Sequence, residues 1–166
     1  MTELSVGGMT VESTQARAWA TAYLHDRSGV SAYPAYDSYE GSGHGSSLLG
    51  DADLLAPVLL NVAQKPVRTY YSLQALMPAL NEVLADLPTD VALQEANDDV
   101  LAAVASLYAV LDAVPKQPQV GMVKLSKVLA RKRPCLIPIY DAAVKECYTD
   151  CDGAPVPPRD DRSREG

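Results

Sequence analysis

Lys124, Lys127 and Arg131 are spaced by three and four residues, the interval that brings side chains to one face of a helix. Lys132 and Arg133 extend the positive charge beyond them. Three cations in line can hold a phosphate or another anion. Gly121 stands just before them, where a missing side chain lets a ligand approach the backbone and where free N–H groups favour negative charge. On this spacing the sequence predicts a helix over about 120–132, anchored by Leu125, Val128 and Leu129, with Lys124, Lys127 and Arg131 facing outward. Lys132 and Arg133 at its end would also be favoured by the helix dipole.

The charge distribution sharpens this reading. Six basic residues and no acidic one lie between Asp112 and Asp141, in a chain of net charge −7. The rest carries eight basic and 21 acidic residues, thirteen negative charges in excess. An acidic body disfavours indiscriminate binding to nucleic acid or anionic membrane. A local basic patch can still take a phosphate, and an acidic body can steer toward a basic protein partner. Carboxylates also gather at Glu95, Asp98 and Asp99, where the plain expectation is a solvated helix surface.

A second candidate is aromatic. Tyr33, Tyr36 and Tyr39 recur every third residue in a long connection, about 27–50, followed by Gly41-Ser-Gly-His-Gly45. A tyrosine-lined wall can stack a base or another flat ligand. The alternative is local packing of a surface loop. His44 and His25 are the only histidines, and Cys135, Cys147 and Cys151 the only cysteines, so no metal site and no cofactor is expected. Three cysteines without a leader sequence suggest a reducing cytoplasm. No apolar stretch reaches the ~20 residues of a membrane span.

The elements that must position these residues are mainly helical. Apolar spacing predicts helices over about 11–25, 52–63, 68–85 and 91–113, with Trp19 and Tyr23 as a core-anchoring face on the first. Pro57 should lie in a first turn, and Pro78 should bend or split the third helix. After the basic helix, Pro134 and Pro138 bracket a short apolar piece, and Asp141 suits the N-cap of a last helix over about 142–148. The expectation is an all-α fold, a compact single-domain bundle of about six helices over 1–148, with a disordered Pro- and Asp-rich tail over 149–166.

Gly121-x-x-Lys124-x-Ser-Lys127-x-Leu followed by Pro138-Ile-Tyr-Asp141-x-x-Val144 resembles a degenerate helix-hairpin-helix DNA glycosylase motif over about 24 residues. The resemblance implies a helix-hairpin-helix-like C-terminal part in which backbone N–H groups contact DNA phosphate. It further implies Lys124 as the catalytic amine and Asp141 as the carboxylate that stabilises a developing sugar cation or activates water. The hairpin's Gly-x-Gly is reduced to Gly121 alone. Over its whole length, including Asp53-Leu-Leu-Ala-Pro-Val-Leu-Leu-Asn61 and Lys132-Arg-Pro-Cys-Leu-Ile-Pro-Ile-Tyr-Asp141, the chain resembles an uncharacterised family of small actinobacterial proteins.

Three functions are therefore carried forward. The first is DNA or RNA binding through Gly121, Lys124, Lys127, Arg131, Lys132 and Arg133. The second is glycosylase-like base excision with Asp141 and Lys124. The third is a non-catalytic interaction module for a basic protein.

Overall fold

The computed structural model of the chain describes residues 2–7, 9–25, 33–39, 46–60, 65–112 and 115–149. Gly41–Gly45 with His44, Cys151 and the tail beyond Thr149 lie outside the described residues. The chain divides into two compact units, one of Met1–Ala22 with Asp141–Gly166 and one of Tyr23–Tyr140.

In the first unit, strand β1 (Glu3–Val6) pairs antiparallel with β2 (Met9–Glu12), Glu3 opposite Glu12 and Val6 opposite Met9. Leu4 and Val6 on one strand and Met9 and Val11 on the other supply the β-favouring alternation. Val11 and Glu12, expected to open a helix, thus belong to a hairpin, and the fold is mainly rather than wholly α-helical. Gly7 turns the hairpin at φ 59°, and a side chain there would collide with the carbonyl oxygen of Cys147. Helix α1 (Ser13–His25) starts where the Glu12 carboxylate accepts the amides of Thr14 and Gln15, both at 3.1 Å. Hydrogen bonds from Thr14, side chain first and then backbone, hold the Glu12 carboxyl below its ordinary pKa. Helix α7 (Ala142–Thr149) begins at Asp141, whose Oδ1 accepts the Val144 amide at 2.9 Å.

Apart from Tyr148 and Thr149, whose side chains lie outside the description, none of the described residues of this unit is buried. The expected core face of α1 is absent: Trp19 is 60 % exposed and Tyr23 61 %. Helical spacing places such residues together but does not supply a neighbour to cover them.

The second unit contains the core. It runs through α2 (Tyr33–Ser38), a 3₁₀ turn (Asp51–Leu55), α3 (Ala56–Leu59), α4 (Pro66–Asp86), α5 (Asp98–Ala109) and α6 (Met122–Leu129). Leu73, Leu80 and Leu84 of α4, Leu107 of α5 and Leu125, Val128 and Leu129 of α6 meet without solvent exposure. Leu136 and Ile137, from the apolar piece between Pro134 and Pro138, close the same core.

Pro78 does not divide α4, which is continuous over 21 residues. The ring lies on the exposed side of the helix, away from the core. Pro57 stands in the first turn of α3, as its missing N–H requires. The helix expected from Val91 begins later, because Asn97 is the N-cap: its side chain accepts the Val100 amide at 2.9 Å.

Candidate functional site

α6 is buried on nearly all sides. Every residue from Leu125 to Ala130 is buried, and only Gly121 and Met122 at its start are exposed. Lys124, Lys127 and Arg131 do share a side of the chain, but it faces the interior. The outward cationic face expected from their spacing is not formed.

Lys124, Arg131, Lys132 and Arg133 reach internal acceptors, and Lys127 is buried. Lys124 Nζ donates to Thr69 Oγ1 of α4 at 3.0 Å, and burial lowers the pKa of this half-buried amine. Lys127 is 3 % exposed, and its carbonyl accepts the Tyr36 hydroxyl at 2.7 Å. Arg131 Nε reaches Asp53 Oδ1 at 3.2 Å, while its two terminal nitrogens donate to the carbonyls of Tyr36 (2.8 Å) and Tyr39 (2.7 Å). Lys132 Nζ lies 2.8 Å from Asp53 Oδ2. The same Oδ2 accepts the Gly50 amide at 2.9 Å, which ties Asp53 into the start of the 3₁₀ turn.

Arg133 is 1 % exposed and, among the described residues, has no carboxylate in its hydrogen-bonding shell. Its guanidinium instead donates to four carbonyls: Ser47 and Lys132 at 2.9 Å, Leu84 at 2.6 Å and Leu87 at 2.8 Å. Leu84 and Leu87 lie at the C-terminal end of α4, where carbonyls lack helical partners and the helix dipole favours a cation. Burial pulls the Arg133 pKa down, though a guanidinium keeps its charge in a protein. Its Nε finds no partner.

The aromatic residues do join the basic ones. Arg131 stacks against the rings of Tyr36 and Tyr39, its Cζ 5.4 and 5.2 Å from their centroids. Tyr33 opens α2, so the stretch expected to be loop contains a helical turn. Of the three tyrosines expected to form a wall, Tyr36 and Tyr39 lie against the chain's own guanidinium, and the side chain of Tyr33 lies outside the described residues.

Asp141 and Lys124 belong to different compact units. Asp141 caps α7, and its own carbonyl accepts the Lys145 amide at 2.9 Å. A hollow of about 240 Å³ is lined by Leu24, His25, Pro34, Asp37 and Ser38, smaller than the ~300–1,000 Å³ usual for small-molecule pockets. None of the residues expected to form a site lines it. Among the described residues, no three His, Cys, Asp or Glu side chains converge on a point that could hold a metal ion, and no helix is long and apolar enough to cross a membrane.

Asp53 is the residue that sequence reasoning missed. A usable signal was present. Arg131, Lys132 and Arg133 are flanked by Leu129 and by Leu136-Ile137, all core residues, which leaves a basic run little room to reach the surface. A cluster of buried cations is stabilised by an acid, and Asp53, placed directly before the apolar run Leu54–Leu60, fits that need.

Residues 16–165 match the model of a family described as Family of unknown function (DUF6308), and the chain belongs to that family. None of the curated proteins and none of the solved structures matches it.

Proposed function

We propose that this chain is a non-catalytic interaction module whose acidic surface receives a basic protein segment. The observation that carries the reading is the inward turn of residues 124–133. With Lys127, Lys132 and Arg133 buried and Lys124 and Arg131 half-buried, the exposed charge of the second unit is one-sided. Among its described residues the exposed acids are Asp37, Asp51, Glu82 and Asp86, then Asp90, Glu95, Asp98, Asp99 and Asp112. Among its described lysines and arginines, those exposed are Lys65, Arg68 and Lys116. Four of the acids fall between Asp90 and Asp99, beside Leu93 and Leu101, which are 42 % and 43 % exposed. Acid interleaved with exposed leucine suits a cationic, partly apolar polypeptide, because the charges steer the encounter and the leucines hold it.

Nucleic-acid binding through Gly121, Lys124, Lys127, Arg131, Lys132 and Arg133, with or without base excision at Asp141, draws less support from the geometry. Phosphate contacts require cations that are free to leave the protein's own acceptors.

Fluorescence anisotropy separates the readings. A labelled Lys/Arg-rich peptide should bind saturably and weaken with salt, whereas single-stranded and duplex DNA and RNA of similar charge should not bind. The double variant Asp90→Lys with Glu95→Lys should lower the peptide affinity at least about tenfold. Tight nucleic-acid binding, or a peptide affinity indifferent to the double variant, would refute the proposal.

A further inference from the structure

The outer side of α4 carries a pattern that the core does not explain. Arg68, Tyr71, Ala75, Pro78 and Glu82 follow three-and-four spacing along one face, and all five are exposed. Tyr71 is 63 % exposed and the flanking Val67 67 %. Between Arg68 and Glu82 this face bears no charge. Helix surfaces turned to water are normally polar, whereas an uncharged seam at heptad spacing is what one helix offers another.

The charges at its two ends are reversed relative to the helix's own dipole. Lys65 and Arg68 lie at the N-terminal end, and Glu82 and Asp86 at the C-terminal end. A helix alone favours acids at its start and bases at its end. Nor does either Arg68 or Glu82 form an ion pair with another described residue. An antiparallel partner helix removes the conflict. It brings a C-terminal end, with its acids, against Lys65 and Arg68.

We infer that this face of α4 pairs with the same face of a second copy of the chain, antiparallel, about a two-fold axis at Ala75. The register follows from the residues. Arg68 stands seven positions before Ala75 and Glu82 seven after, so each copy's Arg68 meets the other's Glu82. Tyr71 stands four before and Ala79 four after, which seats the large ring over a small side chain. Ala75 at the axis permits close approach of the two backbones. Such an isologous contact is self-complementary and closes at two copies. The occupant is a second copy because both members of each charge pair and both sizes in each packing pair lie on this one helix.

The area bounds the strength. Twenty-one residues make a helix about 31 Å long and about 10 Å across, a footprint of roughly 300 Å² per copy. That is well below the ~800 Å² per partner of a standard stable interface. The dimer is therefore a weak, dissociable one that forms only at high protein concentration. It uses a surface distinct from the acidic stretch at Asp90–Asp99 and is independent of the function proposed above.

Sedimentation velocity on the full chain, from about 10 μM to 1 mM at low salt, tests the inference. The expected result is a reversible monomer–dimer equilibrium that weakens with salt. Arg68→Glu and Glu82→Arg should each weaken dimerisation about tenfold or more, since each places two like-charged contacts across the axis. The double exchange, Arg68→Glu with Glu82→Arg, should restore it to within about threefold. Far-UV circular dichroism confirms that these exposed substitutions leave the fold intact. A monomer at every concentration overturns the inference. So does a dimer indifferent to the single variants, or one that the double exchange fails to restore.

Discussion

Replacing Asp53 by Asn removes one charge and almost no volume from a site that is 3 % exposed. The asparagine can still accept the Gly50 amide, and the side chain still fills the space. What disappears is the carboxylate that, among the described residues, pairs with both Arg131, at 3.2 Å, and Lys132, at 2.8 Å. Two cations, with side chains 9 % and 3 % exposed, then lose the negative charge they share. Removing one partner of a buried ion pair costs about 3–5 kcal/mol, and for a chain of this length each kcal/mol moves the melting temperature by about 2–4 °C. Asp53→Asn should therefore lower the midpoint, followed by far-UV circular dichroism, by about 6–20 °C. Lys132→Met removes a cation but leaves Asp53 with Arg131 and the Gly50 amide, so its cost should be smaller, about 1.5–3 kcal/mol. Because the cluster is buried, the Asp53→Asn penalty should persist at 1 M salt, where exposed pairs are screened. A cost below about 1 kcal/mol, or the reverse order of the two variants, would show that the cations are neutralised by something other than Asp53.

Arg133→Met should destabilise the chain by at least about 2 kcal/mol in urea titrations, because it strands carbonyls of Ser47, Leu84 and Leu87 that are otherwise satisfied. Trp19, the single tryptophan, should fluoresce like a solvated indole and be readily quenched by iodide, and Trp19→Ala should change stability by no more than about 0.5 kcal/mol. A blue-shifted, protected emission would show that α1 is covered. Burial lowers the Lys124 pKa, so the folded state releases that proton first, and the cost of burying the ammonium is present at neutral pH and relieved as pH rises through the lowered value. The stability of the parent relative to Lys124→Met should accordingly rise as pH passes upward through the lowered value, as read from urea midpoints at each pH.

Local patterns in the sequence carry the helices well. The apolar rows of α4, α5 and α6 and the capping role of Asp141 are visible because each depends on residues within a few positions of one another. The hairpin of β1 and β2 was hidden by its brevity, since four-residue strands leave too little alternation to outweigh a neighbouring helix. Direction was the larger loss. Spacing shows that Lys124, Lys127 and Arg131 share a side, but not whether that side meets water or protein. The answer rests on Asp53, 78 residues before Arg131, and on carbonyls of Tyr36 and Tyr39 more than 90 residues away. Trp19 and Tyr23 fail for the same reason in reverse: their spacing is that of a core stripe, and nothing local says that no core lies beside them.

The basic run also explains why an acidic chain keeps so many cations together. Leu129, Leu136 and Ile137 are drawn into the core by their own burial, and residues 131–133 between them must follow. A turn buried at that depth exposes backbone carbonyls on several sides, from Tyr36, Tyr39, Ser47, Leu84 and Leu87. Each would cost about 1–3 kcal/mol if left unpaired. Arginine, with five N–H donors in a fixed fork, can satisfy several at once, which lysine cannot match. In this view Arg131 and Arg133 serve as rigid multi-donor pins that join α2, the 3₁₀ turn and the end of α4 to the segment after α6. Asp53 then makes the first of them affordable. Such buried polar pins gain little net stability over apolar packing but penalise any misregistered arrangement of the helices, because a shift of one residue would orphan several carbonyls together.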